Sequence, residues 1–239
     1  MFESLKSQFI LNFVDDERWR YLVNGLANTL KITFASVVLG IIIGVIIAIV
    51  RSTWDKTGAD MRPGVGKFFL RLANGFCKLY LTVIRGTPVV VQLMIIYYII
   101  FAASNNGVGI AMLAFGINSG AYVAEIIRGG IMSIDAGQFE AGRSLGLNYT
   151  QTMRHIIIPQ AFKNVLPALA NEFIVLLKET SVAGYVSVLD LTKGGDIIRG
   201  RTYSAFMPLI AVALIYLVLV IFFTWLVGRL ERRLRSSDH

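Results

Sequence analysis

The sequence predicts an all-α integral membrane protein with five membrane-spanning helices. Of its 239 residues, 55% are hydrophobic and only 16% are charged, and the mean hydropathy is +0.65. A soluble globular chain carries about 25% charged residues, so most of this surface must contact something other than water. The net charge of +8 would suggest nucleic-acid binding in a soluble protein. Here the charges fall between long uncharged runs, and we interpret them as a signal of membrane topology, not of a nucleic-acid partner.

The uncharged runs give the number of spans. About 20 mostly apolar residues cross the roughly 30 Å of hydrocarbon in a bilayer, and residues 32–50 and 202–228 are long enough. The run 86–124 is 39 residues long, which suits two crossings, and turn-forming residues at 104–107 divide it. A further candidate is more polar because Glu172 interrupts it. The predicted spans are about 22–50, 82–103, 108–128, 160–178 and 204–228.

Charge and amphipathicity predict how the chain is arranged about the membrane. Residues 1–21 are expected to form an amphipathic helix at the outer interface, with a frayed terminus as the alternative, and residues 66–84 to form one at the inner interface. With five spans, segments 51–78, 126–163 and 229–239 share one side and carry 14 of the 23 lysines and arginines, against seven on the other side. Because cytoplasmic loops concentrate positive charge, we expect the N-terminus outside and the C-terminus in the cytoplasm.

The cytoplasmic loop predicted at 135–159 has the most distinctive pattern in the chain. A short helix is expected to end at Gly146, which suits the left-handed residue that closes a helix. Asn148 followed by Gln151 predicts a capping box at the start of a second short helix. Pro159 marks a boundary before the next span. The loop is therefore expected to form a rigid two-helix projection.

This loop resembles the EAA motif of ATP-binding-cassette (ABC) importer permeases, which reads E-A-A, three residues, G, nine residues, I-x-L-P. Glu140, Ala141, Gly146 and Pro159 match the motif, as does the isoleucine three residues before the proline. Gly142 stands in place of the second alanine, and isoleucine replaces the leucine before the proline. The pattern extends over 20 residues, so the resemblance is specific.

Three further segments resemble the polar-amino-acid type of these permeases, and the likeness extends over about residues 20–230. Residues 85–92 resemble R-G-T-P-L-L-V-Q, residues 124–130 fit A-E-I-x-R-G-G, and residues 176–182 resemble L-L-K-x-T-S-L. The resemblance implies a type I ABC importer transmembrane subunit, a single permease domain over residues 1–239 with a two-helix cytoplasmic coupling loop. It also implies a multi-pass location in a bacterial inner or cytoplasmic membrane.

The resemblance implies partners rather than chemistry in this chain. The expected partners are two copies of an ABC ATPase, a second permease of the same or a related sequence, and an extracellular or periplasmic amino-acid-binding protein. ATP and magnesium would bind to the ATPase, since this chain has no G-x-x-x-x-G-K-[ST] motif, and no cofactor or enzyme activity is expected here. The residues expected to couple to the ATPase are Glu140, Ala141, Gly142, Arg143, Gly146 and Pro159.

Polar residues within the predicted spans are candidates for the substrate path, because polar groups at membrane depth are costly. Glu125 lies three residues before Arg128, so it forms either an ion pair or a carboxylate site for a cationic substrate. The uncharged polar residues could instead hydrogen-bond between helices, and Lys178 could belong to an outer gate or to a solvated helix end. The candidate path residues are Gln92, Asn118, Tyr122, Glu125, Glu172, Lys178, Thr180 and Ser181.

Two other classes of protein remain as alternatives. An ion-gradient-driven secondary amino acid carrier would use Glu125 and Glu172 as coupling carboxylates, but the two halves of the sequence show no evident inverted repeat. A membrane-embedded enzyme would need a catalytic cluster, and the sequence shows neither a metal constellation nor a Ser-His-Asp arrangement. The EAA-like loop favours the importer over both. The acidic residues favour cationic or neutral polar amino acids over acidic ones.

Overall fold

The structure is a computed structural model, which describes residues 2–235 and, within them, the side chains of residues 6–233. The described residues form ten α-helices and no strand, which confirms the predicted all-α class. The helices are α1 (Phe2–Phe9), α2 (Trp19–Thr57), α3 (Val65–Gly86), α4 (Val89–Ile95), α5 (Gly107–Met132), α6 (Ala136–Ser144), α7 (Tyr149–Thr152), α8 (Ile158–Glu179), α9 (Leu191–Thr202) and α10 (Phe206–Arg235). Short π-helical turns follow α1, α4 and α7, and a 3-10 helical segment follows α8.

Three of the described helices, α2, α5 and α10, are long and apolar enough to cross a membrane. They coincide with the first, third and last predicted spans, although α2 begins at Trp19 and ends at Thr57, beyond the predicted 22–50 at both ends. A fourth crossing is present if the bent pair α3 and α4 is one span. The span predicted at 160–178 coincides with α8, a helix with more polar residues. The count of five spans therefore stays a prediction.

The span predicted at 82–103 is not a single straight helix. α3 continues to Gly86, and a bend of 109° separates it from α4 and its π-helical extension. Pro88 has no N–H to donate and disfavours helical backbone at the preceding residue. Thr87 is accordingly extended, with φ −124° and ψ 149°. The amphipathic segment predicted at 66–84 is α3.

The N-terminal segment is helical over most of its described length. α1 continues into a π-helical turn, and the helix is interrupted at Asp16, which has a φ of 51°. Asn12 is fully buried and accepts a hydrogen bond from the Thr202 hydroxyl at 2.8 Å. This contact holds the segment against the end of α9, which favours an ordered helix over a frayed terminus.

By its internal contacts the chain divides into two compact units. The first comprises the described residues of Met1–Val37, Pro88–Gly116 and Phe173–Leu226, and the second those of Val38–Thr87, Ile117–Glu172 and Val227–His239. In the first unit, a buried cluster joins the N-terminal turn and α2 to α9 and α10. Its members are Phe13, Leu22, Leu191, Ile198 and Val212.

Within the first unit, glycines allow the start of α2 to cross closely over the start of α9. A Cβ on Gly25 would lie 2.5 Å from the carbonyl oxygen of Asp190, and one on Gly194 would lie 2.5 Å from that of Tyr21. Asn28 also donates a hydrogen bond of 2.8 Å to a carbonyl in the loop before α9. The two helices are therefore held together at backbone-to-backbone distance.

Two buried clusters organise the second unit. One joins the end of α2 to α3 and α5 through Ile47, Leu81, Ala121 and Ala124. The other joins the end of α5 to the loop that follows it and to α8, through Ile131, Ile134, Phe139, Ile157 and Ala161. The hydroxyl of Tyr80 on α3 also donates a hydrogen bond to the carbonyl of Ile117 on α5. The segment predicted as a coupling loop is thus packed on the helix before it and the helix after it.

Candidate functional site

The loop between α5 and α8 contains two short helices, α6 and α7, joined at a glycine corner. Gly146 has a φ of +77°, in the left-handed region that glycine adopts without strain. Its N–H donates to the carbonyl of Arg143, and the N–H of Leu147 donates to that of Gly142. This is the hydrogen-bond pairing of a Schellman motif, which satisfies carbonyls at a helix end. The predicted closure of the first helix at Gly146 is confirmed.

The predicted capping box is also present. Asn148 Oδ1 accepts the N–H of Gln151, and Gln151 Oε1 accepts the N–H of Asn148, both at 2.9 Å. Pro159, however, does not begin a new helix, because the backbone remains helical from α7 through a π-helical turn at Met153–Ile157 into α8. Proline removes a helical hydrogen bond and crowds the carbonyl four residues earlier, and a wider π turn relieves that crowding. The boundary predicted at Pro159 is therefore a change from π-helical to α-helical backbone, not a break between two helices.

The residues predicted to couple to an ATPase are divided between the two faces of α6. Glu140, Ala141 and Arg143 are exposed, whereas Phe139 and Gly142 are buried. Phe139 packs into the isoleucine cluster at the ends of α5 and α8. α6 is therefore anchored on one face and presents a charged face to its surroundings, which is what a docking helix requires.

A groove separates this loop from the end of α2. The Lys56 ammonium lies 4.4 Å from the centre of the Phe139 ring, a cation–π distance. The groove has a volume of about 330 Å³ and is also lined by Asp60, Glu140 and Tyr149. Burial raises the pKa of the Tyr149 hydroxyl. The contact at Lys56 connects α6 to a membrane-spanning helix, and the sequence analysis missed it because the two residues are far apart in the chain.

Five charged side chains form a cluster that joins α2, α3 and α5. Arg128 Nη2 lies 3.1 Å from Glu125 Oε2, and Arg128 Nη1 lies 3.5 Å from Asp55 Oδ2. Arg85 Nη1 approaches Glu125 Oε2 at 3.7 Å, and Arg51 Nη1 approaches Asp55 Oδ1 at 3.8 Å. The ion pair between Glu125 and Arg128, one of the two alternatives for Glu125, is present, and it belongs to a network of three helices.

The other candidate path residues of the second unit lie on α5 and α8. Glu172 is buried on α8 and accepts a hydrogen bond of 3.0 Å from the Ser119 hydroxyl on α5. Asn118 is buried next to Ser119 in the sequence. Tyr122 is half-buried, and the guanidinium carbon of Arg85 lies 5.8 Å from the centre of its ring. The structure therefore joins Glu172 to Ser119, and Tyr122 to the charged cluster.

The remaining candidates belong to the first unit. Gln92 is buried on α4, and Lys178 is exposed near the end of α8. Thr180 is buried and donates a hydrogen bond of 2.8 Å to the carbonyl of Leu177, one turn earlier. Ser181 is half-buried and lines a cavity of about 330 Å³ beside α9. Of these four, Ser181 therefore faces a cavity.

Three polar residues with well-defined contacts in the structure were not predicted from the sequence. Asp55 belongs to the charged cluster, and Asn74 accepts a hydrogen bond of 2.8 Å from Arg51. Asp190 is fully buried and caps α9 by accepting N–H groups at 3.0 and 3.2 Å, while burial raises its pKa to about 6. Two of the three have a signal in the sequence. Asp55 lies four residues after Arg51, which indicates an i,i+4 ion pair, and Asp190 precedes a helical pattern, which indicates a helix cap. Among residues 2–235, no group of three or more His, Cys, Asp or Glu side chains could hold a metal ion.

Comparison with known families gives a match over residues 64–236. The family is described as "binding-protein-dependent transport system inner membrane component". The match contains α3 to α10, the whole of the loop between α5 and α8, and the bend at Pro88.

Individual relatives extend this likeness over most of the chain. The chain is 37% identical over 221 residues to the arginine transport system permease protein ArtQ of Bacillus subtilis (strain 168), which covers 91% of this chain and 94% of that protein. It is 39% identical over 168 residues to the glutamine transport system permease protein GlnP of Escherichia coli (strain K12), covering 69% and 77%.

Solved structures agree with the sequence relatives. A crystal structure of an amino acid ABC transporter with histidines matches with a TM-score of 0.78 and 41% identity, over 90% of this chain and 94% of that chain. An inward-facing structure of the MetNI methionine ABC transporter matches with a TM-score of 0.75 and 22% identity, over 92% and 98%. The second match shows a shared fold.

Proposed function

This chain belongs to the family of binding-protein-dependent transport system inner membrane components, as a permease subunit of an ABC importer, and we propose that its cargo is a polar amino acid. The observation that carries the proposal is the identity of 37–39% to permeases named for arginine and glutamine transport. Membership in this family favours the importer over the ion-driven secondary carrier. The chain is accordingly a multi-pass protein of the inner membrane.

The ATPase is proposed to dock on the exposed face of α6. Glu140 and Arg143 lie one turn apart on a helix that Phe139 anchors from its buried face. A docking helix held in this way moves as a rigid body when its partner moves. The contact between Lys56 and Phe139 gives α2 a direct connection to that movement. ATP and magnesium would bind to the partner.

The polar amino acid is proposed to pass residues of α5 and α8. Glu172 supports this because it is a buried carboxylate that accepts a hydrogen bond from Ser119, and ionisable residues in membrane segments are functional by default. Glu125 is engaged by Arg128 and Arg85, which favours an ion pair over a carboxylate free to bind a cationic substrate. The path candidates Gln92, Asn118, Tyr122, Lys178, Thr180 and Ser181 remain proposals of the same kind.

The orientation and the remaining partners are proposals as well. The N-terminus is proposed to lie outside and the C-terminus in the cytoplasm, since 14 of the 23 lysines and arginines fall on the side of the loop that contains α6. That orientation exposes α6 to a cytoplasmic ATPase. Two ATPase copies, a second permease and an extracellular amino-acid-binding protein would complete the importer.

The test is to reconstitute the chain with its ATPase and binding protein and to measure uptake of radiolabelled arginine, glutamine and histidine. The importer predicts uptake that requires ATP and is insensitive to ionophores. Gly146→Val should abolish this uptake without preventing membrane insertion, because a β-branched residue at φ +77° is strained.

Gly146→Asn is the matched control, since asparagine tolerates the left-handed region. It should retain most of the uptake and most of the copurifying ATPase. Ionophore-sensitive uptake without ATP would overturn the importer. Normal ATP-driven uptake in Gly146→Val would overturn the docking role of the loop alone, and uptake of none of the three amino acids would overturn the proposed cargo.

A further inference from the structure

α3 carries an exposed apolar stripe with a gap in it. Phe68 is 64% exposed and Phe76 is 66% exposed. Apart from Gly75, its two neighbours and the nearby backbone of α3, no atom of the described residues lies within 4 Å of the position that a Cβ of Gly75 would occupy. The missing side chain leaves a groove of about 430 Å³ along the helix. The groove is lined by Phe68, Arg71, Leu72, Gly75, Phe76 and Leu79.

A second, polar cavity lies between the end of α2 and the start of α3. It has a volume of about 530 Å³, and its lining includes Trp54, Asp55, Lys67 and Arg71. Arg71 therefore lines both the apolar groove and the polar cavity. A single elongated molecule with an apolar part and a polar part could occupy both.

The charges around the polar cavity favour an anion. Arg71 is exposed and forms no ion pair with any residue that the structure describes. Lys67 contributes an ammonium group, which donates a hydrogen bond of 3.0 Å to a backbone carbonyl. The carboxylate of Asp55 is already engaged by Arg51 and Arg128. Its negative charge is therefore compensated, and two cationic groups face the cavity.

We propose that the two cavities bind one anionic phospholipid, with its phosphate at Arg71 and Lys67 and an acyl chain over Gly75. An amphipathic helix with basic and apolar faces lies at the membrane surface and attracts anionic lipids. Trp54 is a residue type enriched at that interface. The lipid would fix the turn between α2 and α3. This inference does not depend on the cargo, so its failure leaves the proposed function intact.

The test is native mass spectrometry of the full-length protein, purified in mild detergent with the subunits it retains and titrated with phosphatidylglycerol or phosphatidylcholine. The wild type should bind phosphatidylglycerol more tightly. Arg71→Gln should weaken that binding about fivefold, because the phosphate loses one hydrogen bond of typical net strength inside the cavity. Gly75→Leu should weaken it with every charge unchanged, because the added side chain fills the groove.

Lys78→Gln is the matched control, since Lys78 is exposed on the same helix and lines neither cavity. It should bind phosphatidylglycerol as the wild type does. Thermal unfolding of each variant shows whether a loss of lipid binding results from a loss of the folded structure. Equal losses in Lys78→Gln and Arg71→Gln would overturn the site in favour of general attraction. The site would also be overturned if Gly75→Leu bound phosphatidylglycerol as the wild type does, or if inorganic phosphate alone displaced the lipid. A change in oligomeric state in Gly75→Leu would overturn it as well, because the groove would then be a contact between subunits.

Discussion

Gly142 on α6 and Thr152 on α7 are in contact across the corner of the coupling loop. A Cβ added to Gly142 would lie 2.7 Å from both the Cγ2 and the Oγ1 of Thr152. The EAA motif has an alanine at this position, and the space for its methyl group is filled here by the threonine side chain. The glycine at this position of the motif therefore leaves room for the Thr152 side chain on α7.

Gly142→Ala should destabilise the loop. Overpacking of a well-packed site costs about 1–3 kcal/mol, so the thermal unfolding midpoint of the purified protein should fall. The retained fraction of the ATPase should also fall, because α6 would be displaced from α7. Both are measured on protein purified in mild detergent.

The double variant Gly142→Ala, Thr152→Ala removes both atoms that the new methyl group would contact. It should recover most of the unfolding temperature and of the ATPase retention, giving a favourable coupling energy in a double-mutant cycle. Gly129→Ala serves as a second control, because no described atom beyond its own turn of α5 lies within 4 Å of its Cβ position. A double variant no better than Gly142→Ala would contradict the steric explanation.

Local features of the loop and of the bend could be predicted because each depends on neighbouring residues. Gly146 supplies a left-handed conformation, Asn148 and Gln151 satisfy each other's backbone N–H groups, and Pro88 removes a helical donor. These are properties of residues at most a few positions apart. Glycine and proline have fixed backbone preferences, so their effects do not depend on the remainder of the fold.

Contacts between distant segments could not be predicted in the same way. Arg128 and Asp55 are 73 positions apart and meet only because α2 and α5 pack together. The approach of Gly25 to Asp190 likewise depends on how α2 crosses α9. Hydrophobic periodicity identifies the helices and gives no information on which pairs of helices touch.

Gly25→Ala should destabilise the first unit more than an ordinary glycine-to-alanine change in a helix. The new Cβ would lie 2.5 Å from the carbonyl oxygen of Asp190, a backbone atom that cannot move by rotating a side chain. We expect a loss of about 1–3 kcal/mol or more, measured by thermal unfolding in detergent. Gly200→Ala on α9 has open space around its Cβ position and should be neutral or slightly stabilising. Equal midpoints for the two variants would argue against the close crossing.

Asp190 should make the protein less stable as the pH rises from about 4 to about 6. Burial raises the pKa of its carboxyl from 3.8 to about 6, so between these values the folded protein binds a proton that the unfolded chain has released. Stability is therefore greatest below the lower pKa, falls through this window, and changes no further above pH 6 from this group. The unfolding midpoint against pH, measured in detergent, should show this slope.

Asp190→Asn isolates that contribution, because an asparagine oxygen can still accept the N–H groups at the start of α9. The difference in unfolding midpoint between wild type and variant should change across pH 4–6, and the variant should be at least as stable as the wild type at pH 7.5. A constant difference across that range would show that the carboxyl of Asp190 titrates normally.

Glu125→Gln should destabilise the cluster that joins α2, α3 and α5. Glu125 is in contact with both Arg128 and Arg85, so the substitution changes a cluster of three cations and two anions into one of three cations and one anion. The side chains are partly exposed, and we expect a loss of about 1–2 kcal/mol. Asp55→Asn, in the same cluster but outside the candidate path, should lower the unfolding midpoint similarly.

Uptake kinetics separate this structural role from a role in binding substrate. If Glu125 acts through its ion pairs, Glu125→Gln and Asp55→Asn should lower the rate of uptake alike, and by the same factor for arginine and glutamine. A carboxylate that binds a cationic substrate would behave differently, because Glu125→Gln would then raise the KM for arginine alone and leave the unfolding midpoint unchanged. The distances of 3.1 and 3.7 Å from Glu125 to Arg128 and Arg85 support the ion-pair role. We therefore expect equal effects on the uptake of the two amino acids.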